Sequence, residues 1–157
     1  MNFLLVASDR KTYNDEIISA NKIVNFRLKL GKWPIYIGTK NSDSIQKNHK
    51  CIVYIAGKFE NRQSFVCDFI VKDVLFNSTK ENLEQKEFNI VTPVPLLNLV
   101  FETTKIKKAV HINEVVESLE FTKNYSKRSR GLPFIGGSRN LIDKDFNLLF
   151  EKINLNF

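Results

Sequence analysis

An α+β fold is what the sequence predicts, built on a curved, mostly antiparallel or mixed sheet that closes toward a barrel. Three observations carry this expectation. The run Cys51-Ile52-Val53-Tyr54-Ile55-Ala56-Gly57 is β-branched and aromatic and stops at a glycine, as a buried strand does. Residues 64–75 alternate around Phe65, Cys67, Phe69 and Val71, the period of a strand with one face on a core. Residues 143–153 instead repeat Phe146, Leu149, Phe150 and Ile153 at three- and four-residue spacing, the period of a helix. Elements in this order do not repeat a βαβ unit, which argues against a doubly wound parallel sheet.

Taken in order, residues 3–8 read as a first strand and residues 13–26 as a helix, because Ile17, Ile18, Ala20, Ile23 and Val24 recur at roughly helical spacing. Residues 31–39 form a short extended stretch punctuated by Gly and Pro, with Trp33, the single tryptophan, inside it. After a polar connection, 51–57 and 64–75 pair as a hairpin through 58–62. Residues 88–94 and 97–104 give one or two further strands, with Pro93 and Pro95 marking a bend or an edge. Residues 111–119 read as a helix with Asn113 near its start, and 143–153 as the closing helix.

The 157 residues are 43% hydrophobic and 26% charged, which fits a chain able to bury a sizeable core and excludes collagen-like, coiled-coil and low-complexity classes. No repeat, linker or composition break divides the chain, so 1–157 reads as one domain, of a size that also suits the N-terminal module of a longer protein. No apolar run approaches the roughly 18 residues of a membrane span, and the first ten residues lack the basic start of a signal peptide. A cytoplasmic protein is expected, with Cys51 and Cys67 as reduced core residues rather than metal ligands. The 24 Lys+Arg against 17 Asp+Glu give a net charge of +7. Most of the excess is lysine, in a sequence generally rich in Lys, Asn, Ile and Phe. The clustering of Arg128, Arg130 and Arg139 says more about a polyanionic partner.

Catalytic groups are sparse. His49 sits in a polar turn and His111 at a helix start, and neither has a second ligand-type residue at metal spacing. No serine or cysteine sits in a nucleophile elbow, and there is no P-loop. The one nuclease-like set is Asp73 with Glu84-Gln85-Lys86, two acids and a lysine of the kind that hold Mg²⁺ beside a phosphate, but it lies in a polar stretch where such triplets arise by chance. A non-catalytic protein without a cofactor or resident metal is therefore the expectation.

Two regions depart from a plain core. One joins Trp33-Pro34-Ile35-Tyr36 to the strand 52–57. The other is 118–140, where Lys123, Lys127, Arg128 and Arg130 interleave with Phe121, Tyr125 and Phe134 and lead to Gly136-Gly137. Phosphates call for dense cations and a base calls for flat apolar faces, and this segment supplies both. The alternative is a charged surface loop whose aromatics tuck into the core.

The order Trp33, polar connection, then Cys51-Ile52-Val53-Tyr54-Ile55-Ala56-Gly57 resembles the first half of the EVE family. Residues 110–150 are similar to its C-terminal signature, a short helix, a Leu-x-Phe-Ile-Lys-Asn segment, a loop, Phe-x-Gly-Gly-x-Arg and a closing helix containing Asp-Phe. Here these positions read Leu119-Glu120-Phe121-Thr122-Lys123-Asn124, Phe134-Ile135-Gly136-Gly137-Ser138-Arg139 and Asp145-Phe146. The same order resembles the related YTH readers of methylated adenine. Two positions depart from the family pattern: Arg130 stands where a second Trp is common, and Asn48-His49 replaces a Gly-Asp turn.

The resemblance implies a PUA-like sheet or barrel flanked by helices, which receives a modified, flipped-out base in an aromatic pocket. By position, Trp33 would form one wall, Tyr54, Phe121 and Asn124 would lie in the pocket, and Tyr125 or Phe134 would supply the opposite wall unless the Arg130 guanidinium stacks there. Lys123, Lys127, Arg128, Arg130 and Arg139 would contact the nucleic acid. The implied role is the specificity module of a modification-dependent restriction system, with modified DNA as ligand and a nuclease or NTPase as partner or fused domain. A reader of modified RNA is the first alternative, and a metal-dependent nuclease the second. On this reading Trp33→Ala abolishes the preference for modified over plain substrate.

Overall fold

The computed structural model describes residues 1–122 and 137–156. In chain order the elements are β1 (Asn2–Ala7), β2 (Arg10–Lys11), β3 (Ile17–Ile18), α1 (Ala20–Leu30), β4 (Lys32–Ile35), β5 (Lys50–Ile55) and β6 (Ser64–Ile70). They continue with β7 (Asp73–Phe76), α2 (Leu83–Phe88), β8 (Leu97–Val100), β9 (Val110–His111), a 3-10 turn (Ile112–Glu114), β10 (Ser138–Leu141) and α3 (Asp143–Ile153). The α+β class is as expected.

The main sheet has the order β10-β1-β5-β6-β9. β1 is apolar almost throughout and buried on both faces, as a strand covered by layers on both sides must be. It pairs in parallel with β5 and antiparallel with β10, while β5 and β6 form the anticipated antiparallel hairpin. Alternation along β5 divides the interior in two. Cys51, Val53 and Ile55 join a core with α1, β4 and β8, whereas Ile52 and Tyr54 join one beneath α3 and the 3-10 turn. Val53 pairs with Cys67 and Tyr54 with Phe65, so Val66 is the extra residue of a bulge. The bulge lets Val66 and Cys67 both face the first core while Phe65 faces the second.

A second, three-stranded sheet, β4-β8-β7, lies across the first core. Residues 64–75 are therefore two strands and not one. The chain changes partners at Val71 and Lys72, whose N–H groups donate to His49 O and Val100 O at 2.9 and 2.7 Å. The sheets do not close into a barrel among the described residues, which corrects that part of the expectation. No helix among the described residues is long and apolar enough to cross a membrane.

Three further segments differ from their sequence reading. The helix placed at 13–26 begins only at Ala20, because Ile17 and Ile18 belong to β3 and Ser19 is the N-cap, its side chain accepting from Lys22 N. Residues 88–94 do not form a strand: Phe88 ends α2, and Asn89 in the left-handed region (φ 57°) turns the chain away. Residues 111–119 hold a single 3-10 turn, since the His111 ring and Glu114 carboxylate cap it reciprocally and β-branched Val115 and Val116 pack into the second core.

Candidate functional site

α1 presents Ile23, Val24, Arg27 and Leu28 to the interior, so a guanidinium stands among aliphatic side chains. Gly31 ends the helix at φ 69° and its N–H donates to Arg27 O at 2.9 Å, reversing the chain directly into β4. A Cβ at Gly31 would lie 2.5 Å from Phe101 O, which leaves room for glycine alone. This reversal lays the last turn of α1 over β4, and Arg27 comes to rest with its guanidinium carbon 4.5 Å from the centre of the Trp33 ring.

A buried cation must be paired. Glu84 of α2 supplies the partner from 57 residues away, with Arg27 Nε to Oε2 at 2.6 Å and Nη2 to Oε1 at 2.9 Å. Burial alone would lower the Arg27 pKa, but the Glu84 charge and hydrogen bonds, with the adjoining Tyr36 phenol, more than offset it and hold the pKa above its ordinary value. Burial acts the other way on the Tyr36 phenol and raises its pKa in spite of Arg27 and Arg10, so the phenol is a neutral donor at physiological pH.

Beside this assembly lies a cleft of about 300 Å³. Its lining comes from Val6 and Arg10 around the end of β1, from Arg27, from Trp33 and the chain following it to Thr39, and from Pro93 and Gly137. The turn at 36–39 is fixed by Thr39 N donating to Tyr36 O at 3.1 Å and Tyr36 N donating to Thr39 Oγ1 at 3.3 Å. The Ser138 hydroxyl donates to Lys40 O, and Val6 N donates to Gly137 O at 2.9 Å, which anchors both sides of the cleft to the main sheet. Thr92, next to Pro93, is buried near Tyr36, and its Oγ1 makes no hydrogen bond of normal geometry among the described residues.

Of the residues singled out from sequence, Trp33 lines this cleft, but it is only 2% exposed and one ring face is covered by Arg27. It forms the back of the cleft and not an open wall. Tyr54 is not brought to it: the side chain points into the second core and packs on Phe65 at 4.9 Å, on the other side of β5. Phe121 and Arg139 are together, the guanidinium 5.1 Å above the ring, on the side of the main sheet that Leu4 faces and outside the cleft lining. Asp145 holds the start of that segment by accepting from Glu120 N and Phe121 N. Lys123, Asn124, Tyr125, Lys127, Arg128, Arg130 and Phe134 lie outside the described residues.

The nuclease-like set is not assembled. Both Glu84 oxygens are engaged by Arg27, Asp73 lies on an exposed strand with its carboxylate on Val74 N, and no group of three potential metal ligands occurs among the described residues. The two imidazoles make local bonds, His49 Nδ1 accepting from Gln46 N and His111 Nδ1 from Asn113 N.

The sequence marks Tyr36 only as part of the 33–36 segment, and it carries no motif that marks Arg10 or Arg27 as site residues. Arg27 left a signal, a charged residue on the apolar face of α1 defined by Ile23, Val24 and Leu28, which implies a buried partner. Together the fold and the cleft define an α+β protein with an arginine-flanked, aromatic-backed cleft near the end of a central strand. No protein-family model matches the chain, and no curated protein matches it significantly.

Proposed function

We propose that this chain is a non-catalytic nucleic-acid-binding module that takes a modified, flipped-out base, foremost of DNA, into the cleft backed by Trp33 and flanked by Tyr36. It would then act as the specificity part of a modification-dependent restriction system, with a nuclease or NTPase as partner. The observation that carries the reading is the cleft itself. Its volume of about 300 Å³ is at the small end of ligand sites, suited to a single base, and its flat side chains stand beside guanidinium groups. The basic, aromatic stretch of 118–140 runs in sequence into Gly137 of the cleft lining. The resemblance to EVE and YTH proteins supports the same reading.

Flipping costs a few kcal/mol, and stacking returns about 1–3 kcal/mol. One added methyl is worth only about 0.8 kcal/mol by burial, or roughly fourfold in affinity. Stronger discrimination has to come from polar groups that the wrong base leaves unpaired, and the Tyr36 phenol in the cleft lining is the group to act in that way.

The test is competition binding of matched oligonucleotides, plain or carrying methylcytosine, hydroxymethylcytosine or methyladenine, as DNA and as RNA. The expected result is tighter binding of one modified DNA, and a Tyr36→Ala variant that keeps its fold but loses most of that preference. Tyr36 serves better than Trp33 here, because removing a core indole costs about 3–5 kcal/mol in stability and confounds the measurement. Equal binding of plain and modified strands would remove the reading, and a preference for modified RNA would move it to the first alternative.

A further inference from the structure

Two charged side chains line the cleft, Arg10 and Arg27, and they differ in one respect. Arg27 is neutralised by a bidentate carboxylate and its guanidinium is packed on an indole. Arg10 has no ion pair among the described residues. Its neighbour Asp9, the nearest acid in sequence, is turned the other way, accepting from Ala20 N at 2.8 Å and from Lys58 N at 3.0 Å. Asp9 thereby secures the start of α1 and leaves Arg10 uncompensated. The Arg10 backbone is fixed by pairing with Ile18 in β2 and β3, and Lys11 O accepts from Val91 N at 2.8 Å. The side chain is half-buried, and its charge acts on the Tyr36 phenol across the cleft lining. A partly desolvated, uncompensated guanidinium on a fixed backbone is the preferred partner of a planar oxyanion pair, and of phosphate above all.

We infer that Arg10 is the phosphate anchor of this cleft, holding the phosphodiester next to the base, while the Arg27–Glu84 pair is electrically neutral and serves only to set the wall. This assignment rests on the nucleic-acid reading above. It divides the work between two arginines of one site: Arg10 supplies affinity that is blind to the base, and Arg27 supplies shape.

The experiment is a salt titration of binding to one modified DNA duplex and its plain counterpart, from about 50 to 200 mM monovalent salt. It compares wild type with Arg10→Gln, Arg10→Lys and, as a control for general charge, Lys11→Gln. Arg10→Gln is expected to weaken both duplexes by the same factor and to make the slope of log K against log salt shallower by roughly 0.9, the contribution of one phosphate. Arg10→Lys is expected to restore the slope. Lys11→Gln, which removes an exposed lysine already 3.4 Å from Asp15, is expected to leave it nearly unchanged. A second readout uses free ligands: wild type binds the modified nucleoside monophosphate more tightly than the nucleoside, and Arg10→Gln loses that difference. An unchanged slope in Arg10→Gln, or an equal loss in Lys11→Gln, overturns the assignment while leaving the proposed function standing. Wild-type protein that binds no nucleic acid overturns both.

Discussion

At the scale of single residues the decisive feature is a buried ion pair that hydropathy does not reveal. Arg27 and Glu84 are 4% and 5% exposed and touch each other alone as charges, so removing one strands the other. Breaking such a pair costs about 3–5 kcal/mol, while replacing both members with apolar residues of similar volume is often neutral. Glu84→Gln is therefore expected to lower stability by about 3 kcal/mol in urea denaturation and to shift the emission of Trp33, the single tryptophan, whose ring carries the guanidinium. Arg27→Met combined with Glu84→Leu is expected to regain most of the stability and to keep the altered emission. An unchanged midpoint in Glu84→Gln would show that the pair does not act as the buried unit described. The sequence made Trp33 conspicuous because it is unique. It could not show Glu84 as buried, because Glu84 sits in a polar stretch and its partner is 57 residues distant.

At the scale of elements, strong local patterns fix both the element and its partner, and weak ones do not. α3 occupies the residues its spacing predicts, and β5 with β6 forms the expected hairpin, because continuous apolar or alternating patterns leave little choice of partner or face. α1 was displaced because two isoleucines in a short strand happened to extend the helical period, whereas Ser19 and Gly31 marked its true limits. Gly31 matters beyond this boundary, since it is the joint that places Arg27 on Trp33. Gly31→Ala is expected to cost about 2–4 kcal/mol, the sum of a left-handed alanine and a methyl pressed on Phe101 O. The matching check is a thermal melt combined with Trp33 fluorescence, and a melt equal to wild type would refute the argument.

At the scale of the whole molecule, the sequence supported an α+β sheet with two reduced-type core cysteines but not the division into two sheets and two cores. That division depends on the break at Val71–Lys72 and the Val66 bulge, neither of which disturbs the alternation enough to be seen. Seven of the eleven predicted site residues fall in 123–136, outside the described residues, and the four described ones are split between two sides of the main sheet. Both cysteines are free and buried, and burial raises both thiols, with Cys67 pushed up to about 11. A thiol that stays neutral in the fold but ionises near 9 when unfolded contributes stability fully below about pH 9, and that contribution fades as pH rises toward 11. Unfolding free energy is accordingly expected to fall by on the order of 2 kcal/mol across that interval for Cys67 alone, and to fall less in Cys67→Ala measured from its own baseline. A thiol reagent at neutral pH should label neither cysteine until denaturant is added.

β1 lies between β5 and β10, so its hydrogen-bonding neighbours are one strand some way downstream and another that follows it much later in the sequence. A nascent chain emerging from the ribosome therefore carries Phe3, Leu4 and Leu5 as a sticky ribbon with one rim still vacant until Leu141 has been added. The cleft beside Val6 and Gly137 is completed in that same late event, which ties the birth of the site to the final locking of the sheet.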